Sequence, residues 1–510
     1  MRTSNLKYRL MILFCLLAAS GNLIGADFNI TNYGAVSGKL STGSIQKAID
    51  ACHANGGGRV VIPSGTFISG SIVLKSNVNL HLDPGAELSG SVNIQDYKTG
   101  AYFQGLIYCE DAINVSISGS GIINGNGTTF YKTDKTQGSA EFDKSVIRQK
   151  EKYMPEGTFF TDGPLERISN PGMTIVFFNC TKVSITGITI KDTPFWATRF
   201  GYCDDLLIQG ITILNNPLVP NNDGIHCSTS RNIRISDCHI VAGDDAIVIT
   251  GFSKDTEVEG YNSKEQENCT YGNKTIYAEN VTVSNCQLKS SSVGIRIGYG
   301  QHPIRRCTFS NIVIYDSHRG IGIFAHDASS IEDLIFSDFI IETRLFNGQW
   351  WGHGEPVHLS AISRFPGKLA GQIKNVQFNT INAIAEQGIL LYGLKESTLE
   401  NIQFNNFQLR MRKGKETMDY AGNFDLRPVY EPAMKMFEHD IPGLYAQYVT
   451  NLSIQNFDLT WGNDLPSFFT HGIECEHVKG LRIDGFNGSG NPNAKGSKKV
   501  KLFETTILKD

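Results

Sequence analysis

The chain reads as an all-β protein: a single-stranded, right-handed parallel β-helix with an N-terminal capping helix. Two observations predict this. The segments TKVSITGITIKD, DDLLIQGITILN, RNIRISDCHIVA, ENVTVSNCQLKS, IEDLIFSDFIIE, LENIQFNNFQLR and TNLSIQNFDLTW share one template. A polar residue opens it, an alternating apolar run follows, then a short Gly, Asn or Asp break, then a second alternating run. Alternation with period two, rich in Val, Ile and Phe, marks strands. The second observation is spacing. In the best-formed region consecutive units start about 22 to 27 residues apart, the interval of a solenoid coil, and no helical pattern intervenes. A hairpin-built sandwich needs tight two-residue turns and reversing strand direction, which a constant template does not supply.

The elements follow in order. Residues 1–26 place Arg2, Lys7 and Arg9 before the apolar run Leu10 to Ala19, and small residues follow. This is the pattern of a secretory signal peptide, and the apolar run is too short to span a bilayer. Phe14 before Cys15 is too large for a lipoprotein cleavage site. A periplasmic or secreted protein is therefore expected. Ser44 to Ala54 carries Ile45, Ala48, Ile49 and Cys52 at helical spacing and stops at Asn55 and the glycines after it, as a helix capping the first coil should. The β-helix is expected over 27–490, with an irregular tail over 491–510. Two polar excursions, 128–170 and 251–274, interrupt the rhythm and are expected to wall a cleft.

Composition narrows the function. Losing the three leader cations takes the formal charge from -4 to -7, which argues against nucleic acid, since phosphate binding needs a basic face. The cysteines at 180, 238, 286 and 307 recur once per unit within apolar stretches, so buried free thiols are expected rather than bridges. No cofactor, metal or membrane partner is called for, and a monomer is expected.

The densest polar feature is PNNDGIHCSTSRNIRISDCHIVAGDDAIVIT, residues 220–250. Asp223 and Asp245 are one coil apart in sequence, so they should stack on neighbouring rungs roughly 5 Å apart; Asp244 adds a third acid. Carboxylates this close repel one another, and one should keep its proton near neutral pH. Glycoside hydrolysis requires such an acid and base in one site. Turn chemistry explains any one of these residues. It explains less well two acid clusters separated by one coil. Asp244 and Asp245 are adjacent, so a regular strand would point them oppositely, and a bend or bulge is expected between them.

These residues resemble family 28 glycoside hydrolases, the polygalacturonase and rhamnogalacturonan hydrolase family. The likeness runs from NYGAVSGK to at least Asp327. Asn221, Asn222 and Asp223 match the family's Asn-Thr-Asp motif, and Asp244 and Asp245 its Asp-Asp pair. The resemblance implies a pectin-lyase-like solenoid that inverts the anomeric centre. Asp244 is then the general acid, and Asp223 with Asp245 activates water. The implied partner is an acidic polysaccharide, or an oligosaccharide, of the plant-cell-wall type.

Two family motifs are absent. Val293 stands where the Gly-His-Gly histidine should be, and Gly322 and Phe324 stand where Arg-Ile-Lys supplies cations to hold a uronate. Arg296, His326 and Arg199 are the candidates to replace them as substrate contacts, joined by Asn221. In FNGQWWGHGEPVHLSAI, Trp350 is a candidate for stacking on a sugar and Glu355 for binding hydroxyls. These departures leave a substituted galacturonan or rhamnogalacturonan as the expected substrate. A lyase or epimerase on the same solenoid, or a noncatalytic glycan binder, remains the alternative.

Overall fold

A computed structural model describes residues 27–98, 105–137, 159–252, 276–429 and 435–508. The leader pattern at 1–26, most of the 251–274 excursion and part of the 128–170 excursion lie outside these residues. The rest is a parallel β-helix. A 21-stranded sheet and a 13-stranded sheet run the length of the solenoid, joined by two small two-stranded sheets. Pairing is parallel rung upon rung; the strands at Ala278–Ser290, Ile304–Ser317, Ser330–Thr343, Gln372–Ala385, Leu399–Met411 and Val449–Trp461 stack in sequence order.

The repeated template explains this geometry. Its alternating residues point inward, where Phe309, Phe336, Phe378 and Phe404 form a stacked column with ring centroids 4.8, 5.1 and 4.9 Å apart. Its Asn or Asp break falls where the strand bends through a left-handed residue, as at Asn285, Asn311 and Asn406. Asn tolerates that conformation better than most residues, and stacked breaks bond one another: Asn311 donates to Asn285 at 2.8 Å, and Asn285 to Asp237 at 3.1 Å.

The helix Thr42–Ala54 covers the first coil, burying Ile45, Ala48, Ile49 and Cys52 as the spacing predicts. All nine cysteines among the described residues are buried and free. The tail differs from expectation. Val500–Phe503 and Thr506–Ile507 each add a strand to one of the two large sheets, so the solenoid continues through residues whose sequence had lost the template. Backbone pairing with the previous coil does not need the alternating pattern, because these strands have little interior left to fill. Among the described residues no helix is long and apolar enough to cross a membrane.

The 21-stranded sheet alternates buried and exposed residues. The 13-stranded sheet does not: Ile225–Ser228, Ile247–Gly251, Val293–Gly300 and Arg319–Phe324 are buried on both faces. Its outward face is covered as well, and the acid residues precede its strands Ile225–Ser228 and Ile247–Gly251.

Candidate active site

Asp223 and Asp245 immediately precede paired strands. Ile225 pairs with Ile247, and the Gly224 amide donates to the Asp245 carbonyl at 2.9 Å. The two acids therefore sit on adjacent rungs. The expected break between Asp244 and Asp245 is a bend at Gly243 and Asp244, between the strands His239–Ala242 and Ile247–Gly251. Gly243 is required there, because a Cβ would lie 2.3 Å from the Val219 carbonyl oxygen. Buried Asn222 clamps the turn: its Oδ1 accepts from the Gly243 amide at 2.5 Å, and its Nδ2 donates to the Asn216 carbonyl at 2.9 Å. The bend turns Asp244 away from the interior. It is half-buried, while Asp223 and Asp245 are buried.

The electrostatics are lopsided. Burial, then the charge of Asp245, pushes the Asp244 carboxyl up to about 7. Burial, then the charges of Asp244 and Asp245, pushes Asp223 well above the usual carboxylate range. The guanidinium closest to the trio is that of Arg296, whose Nε donates to Asp245 and whose Nη2 lies 3.9 Å from Asp223. Burial, with the positive charges of Arg296 and Arg199, keeps His226 neutral; its Nδ1 lies 3.0 Å from Asp223 Oδ2. Crowded acids with one cation between them hold at least one proton near neutrality, which is the arrangement general acid–base chemistry needs.

Three neighbours escaped the reading of the sequence. Trp196, one rung before Asp223, stacks on His226 with centroids 3.8 Å apart and stays half-buried beside Phe195. His226 is only three residues after Asp223, so it was visible as a neighbour. Arg167 comes from the 128–170 excursion, where Tyr131–Thr136 and Leu165–Arg167 pair antiparallel. It donates to Asn221 Oδ1 at 3.2 Å, and the Asn221 amide and Nδ2 approach Asp244 Oδ2 at 3.1 and 3.3 Å. No local pattern announces Arg167, because its role depends on where the excursion folds back.

Other expected substrate contacts are placed differently. Trp350 is buried and its indole N–H donates to the Asp162 carbonyl; the neighbouring Trp351 is exposed instead. Glu355 is fully buried, accepting from Arg319 Nε at 3.2 Å and from the His353 amide at 2.7 Å. Arg199 is buried beneath Trp196, its guanidinium carbon 5.7 Å from the ring centre. These three are corrections: apolar covering and internal partners hold them below the surface that a sugar would touch. His326 borders a cavity of about 330 Å³, but its ring nitrogens face Ser360 Oγ at 2.7 Å and the Pro428 carbonyl at 3.3 Å. Arg296 is committed to Asp245, so it acts first on the acids.

The two missing motifs are replaced together. Val293 and Phe324 pack in one apolar cluster with Phe252 and Tyr299, separate from the main core. Arg296 lies over the Tyr299 ring at 4.7 Å and Arg319 over Phe324 at 5.2 Å. An apolar patch thus occupies the positions where a histidine and a lysine were sought.

Residues 162–327 match the profile of glycosyl hydrolases family 28. An exopolygalacturonase from Yersinia enterocolitica of that family shares the fold with a TM-score of 0.59, at 17% identity over 95% of this chain and 78% of that one. The stretch that carries Asp223, Asp244 and Asp245 is thus similar to family 28. An exopolygalacturonase of Zea mays is 24% identical over 310 residues, 56% of this chain and 68% of the relative. Polygalacturonase-2 of Solanum lycopersicum is 24% identical over 333 residues, 62% and 64% respectively. The chain spans between 41 and 68% of the length of three curated relatives.

Proposed function

We propose that this protein is exported and cleaves an α-glycosidic bond of a pectin-type chain by inverting hydrolysis. The observation that carries the proposal is the crowding of Asp223, Asp244 and Asp245 on adjacent rungs around one guanidinium. Asp244, the most accessible of the three and protonated up to about pH 7, gives its proton to the leaving glycosidic oxygen. Asp245, with Asp223 beside it, takes a proton from the water that attacks the opposite face of the sugar. Arg296 supplies positive charge against the base as the acid loses its own. Phe195 and Trp196, half-buried on the preceding rung, offer ring faces to a sugar, and Asn221 with Arg167 borders the acid.

The family's relatives named above are polygalacturonases, which supports a pectin-type substrate. The apolar replacement of the histidine and lysine favours a neutral or substituted residue beside the cleaved bond over an unmodified uronate, because a lost charge-assisted contact costs about 1.5 to 3 kcal/mol. Rhamnogalacturonan, a substituted galacturonan, or oligosaccharides from either fit that reading.

The test follows new reducing ends and ultraviolet absorbance of unsaturated uronate together, on galacturonan, rhamnogalacturonan and their oligosaccharides. Reducing ends without absorbance, fastest on rhamnogalacturonan or a substituted chain, are expected. Absorbance rising with cleavage would make the reaction a lyase elimination. Preference for unsubstituted galacturonan would overturn the substrate assignment, and silence on every chain would favour a glycan binder.

A further inference from the structure

The final coils carry a second polar cavity of about 600 Å³, lined by Glu438, His439, Asp440, His471, Glu474 and Lys501 among others. It lies on the 13-stranded sheet, far from the acids. Arg296 leads through successive pairings to Gly322, His358, Leu390, Tyr445 and Glu474. Five rungs at about 4.8 Å place it roughly 24 Å along the axis. None of its groups enters the hydrolysis described above.

The donor atoms in this cavity are oriented. The His439 ring lies against Phe437 and Tyr445, with centroids 5.0 and 4.6 Å apart. Its Nδ1 contacts the Asp440 carbonyl, which can only accept, so Nδ1 carries hydrogen. Nε2 then faces Glu474 Oε1 at 3.6 Å. His471 is set the other way. Its Nδ1 accepts from the Lys498 amide at 3.0 Å, and its Nε2 lies 3.9 Å from Glu474 Oε2, too far for a hydrogen bond.

Glu474 is 1% exposed. Lys501 donates to its Oε1 at 2.6 Å, but its buried Oε2 accepts no hydrogen bond among the described residues. A buried carboxylate oxygen without a donor is costly, and this separates the cluster from a solvated acidic patch. Two residues further on, Glu476 accepts from the Tyr445 hydroxyl at 3.1 Å. His439, Glu474 and Glu476 each bring one ligand atom within 4.8 Å of the others.

We propose that His439, Glu474 and Glu476 bind one divalent cation of the zinc class, with the remaining coordination positions open to the cavity. One imidazole and two carboxylates are a donor set that such ions take. Tetrahedral ligands at about 2.0 to 2.2 Å stand about 3.3 to 3.6 Å apart, so side-chain rotations that bring the atoms roughly an ångström closer complete the set. Lys501, whose side chain is 40% exposed, moves into solvent as the ion arrives. The ion ties His439, which follows the small antiparallel pair Phe424–Asp425 and Met436–Phe437, to the strand Ile473–Glu476.

The test is Zn²⁺ titration of the full chelator-treated protein by calorimetry, with metal analysis after dialysis and thermal melting. Cobalt absorption reports the coordination independently. One equivalent of Zn²⁺, a raised melting temperature, and affinity at least about tenfold weaker in His439→Gln, Glu474→Gln and Glu476→Gln are expected. Glu476→Gln changes a partly exposed residue and serves if the buried variants fold poorly. No uptake by the unaltered protein, or equal affinity in Glu476→Gln and the unaltered protein, would overturn the proposal. Hydrolysis measured in chelator reports the acid centre separately, so failure of one reading leaves the other standing.

Discussion

Two charge clusters lie within a few rungs of each other on the same sheet, and they are balanced in opposite ways. Around Asp223, Asp244 and Asp245, one guanidinium faces three carboxyls, and the carboxyls of Asp223 and Asp244 are pushed upward. Two rungs beyond Asp245, Arg319 grips Glu355 through two nitrogens at 3.2 and 3.3 Å, and Arg427 grips Asp425 at 2.8 and 2.7 Å. There, burial pushes Glu355 and Asp425 up, but the guanidiniums outweigh it, and both acids end below the usual carboxylate range. Both clusters are largely buried, although Asp244 is half-exposed. One stores protons that can be moved, and the other fixes charges that cannot. The difference is the ratio of cations to acids, and it separates the proposed reacting site from its support.

The comparison breaks most sharply at Asp245. Replacing it with Asn removes the proposed base and strips Arg296 of its closest carboxylate, so kcat should fall by roughly 10²- to 10⁴-fold; a kcat within threefold of the unaltered protein would contradict that role. The matched cluster should respond in stability instead. Glu355→Gln leaves Arg319 buried beside an uncharged amide, which should destabilise the fold by about 3 to 5 kcal/mol in denaturant melts, with kcat per folded molecule unchanged.

Arg296→Gln makes the lopsided cluster more lopsided. Arg296 lowers the Asp244 carboxyl, so its loss should raise that group further and move the alkaline limb of the kcat profile, near pH 7, to higher pH. A limb that stays in place would detach Arg296 from the acid. The smallest effect concerns stability. Between about pH 4 and 7 the folded protein holds a proton on Asp244 that the unfolded chain has released, so its contribution to stability falls as pH rises. Asp244→Asn should flatten that slope, which pH-dependent melts would detect.

The sequence carried the lopsided cluster and concealed the matched one. Asp223, Asp244 and Asp245 were readable because one coil equals one sequence interval, so spacing translated directly into stacking. The bend at Asp244 was readable because adjacent strand residues cannot share a face. Glu355 and Trp350 were visible as polar and aromatic residues, but their burial depends on Arg319 and Asp162, which the fold brings to them from other coils and from the 128–170 excursion. Arg167 was hidden for the same reason. The tail strands at 500–507 were missed because a terminal rung can pair through its backbone without repeating the apolar template.

The most direct test is Asp244→Asn, assayed for reducing ends on the preferred pectic substrate beside a thermal melt of the same preparation. Hydrolysis lower by about 10³-fold, with a melting temperature at least equal to the unaltered protein's, is the predicted result. Near-normal hydrolysis by that folded variant would contradict the assignment of the crowded acids as the catalytic machinery.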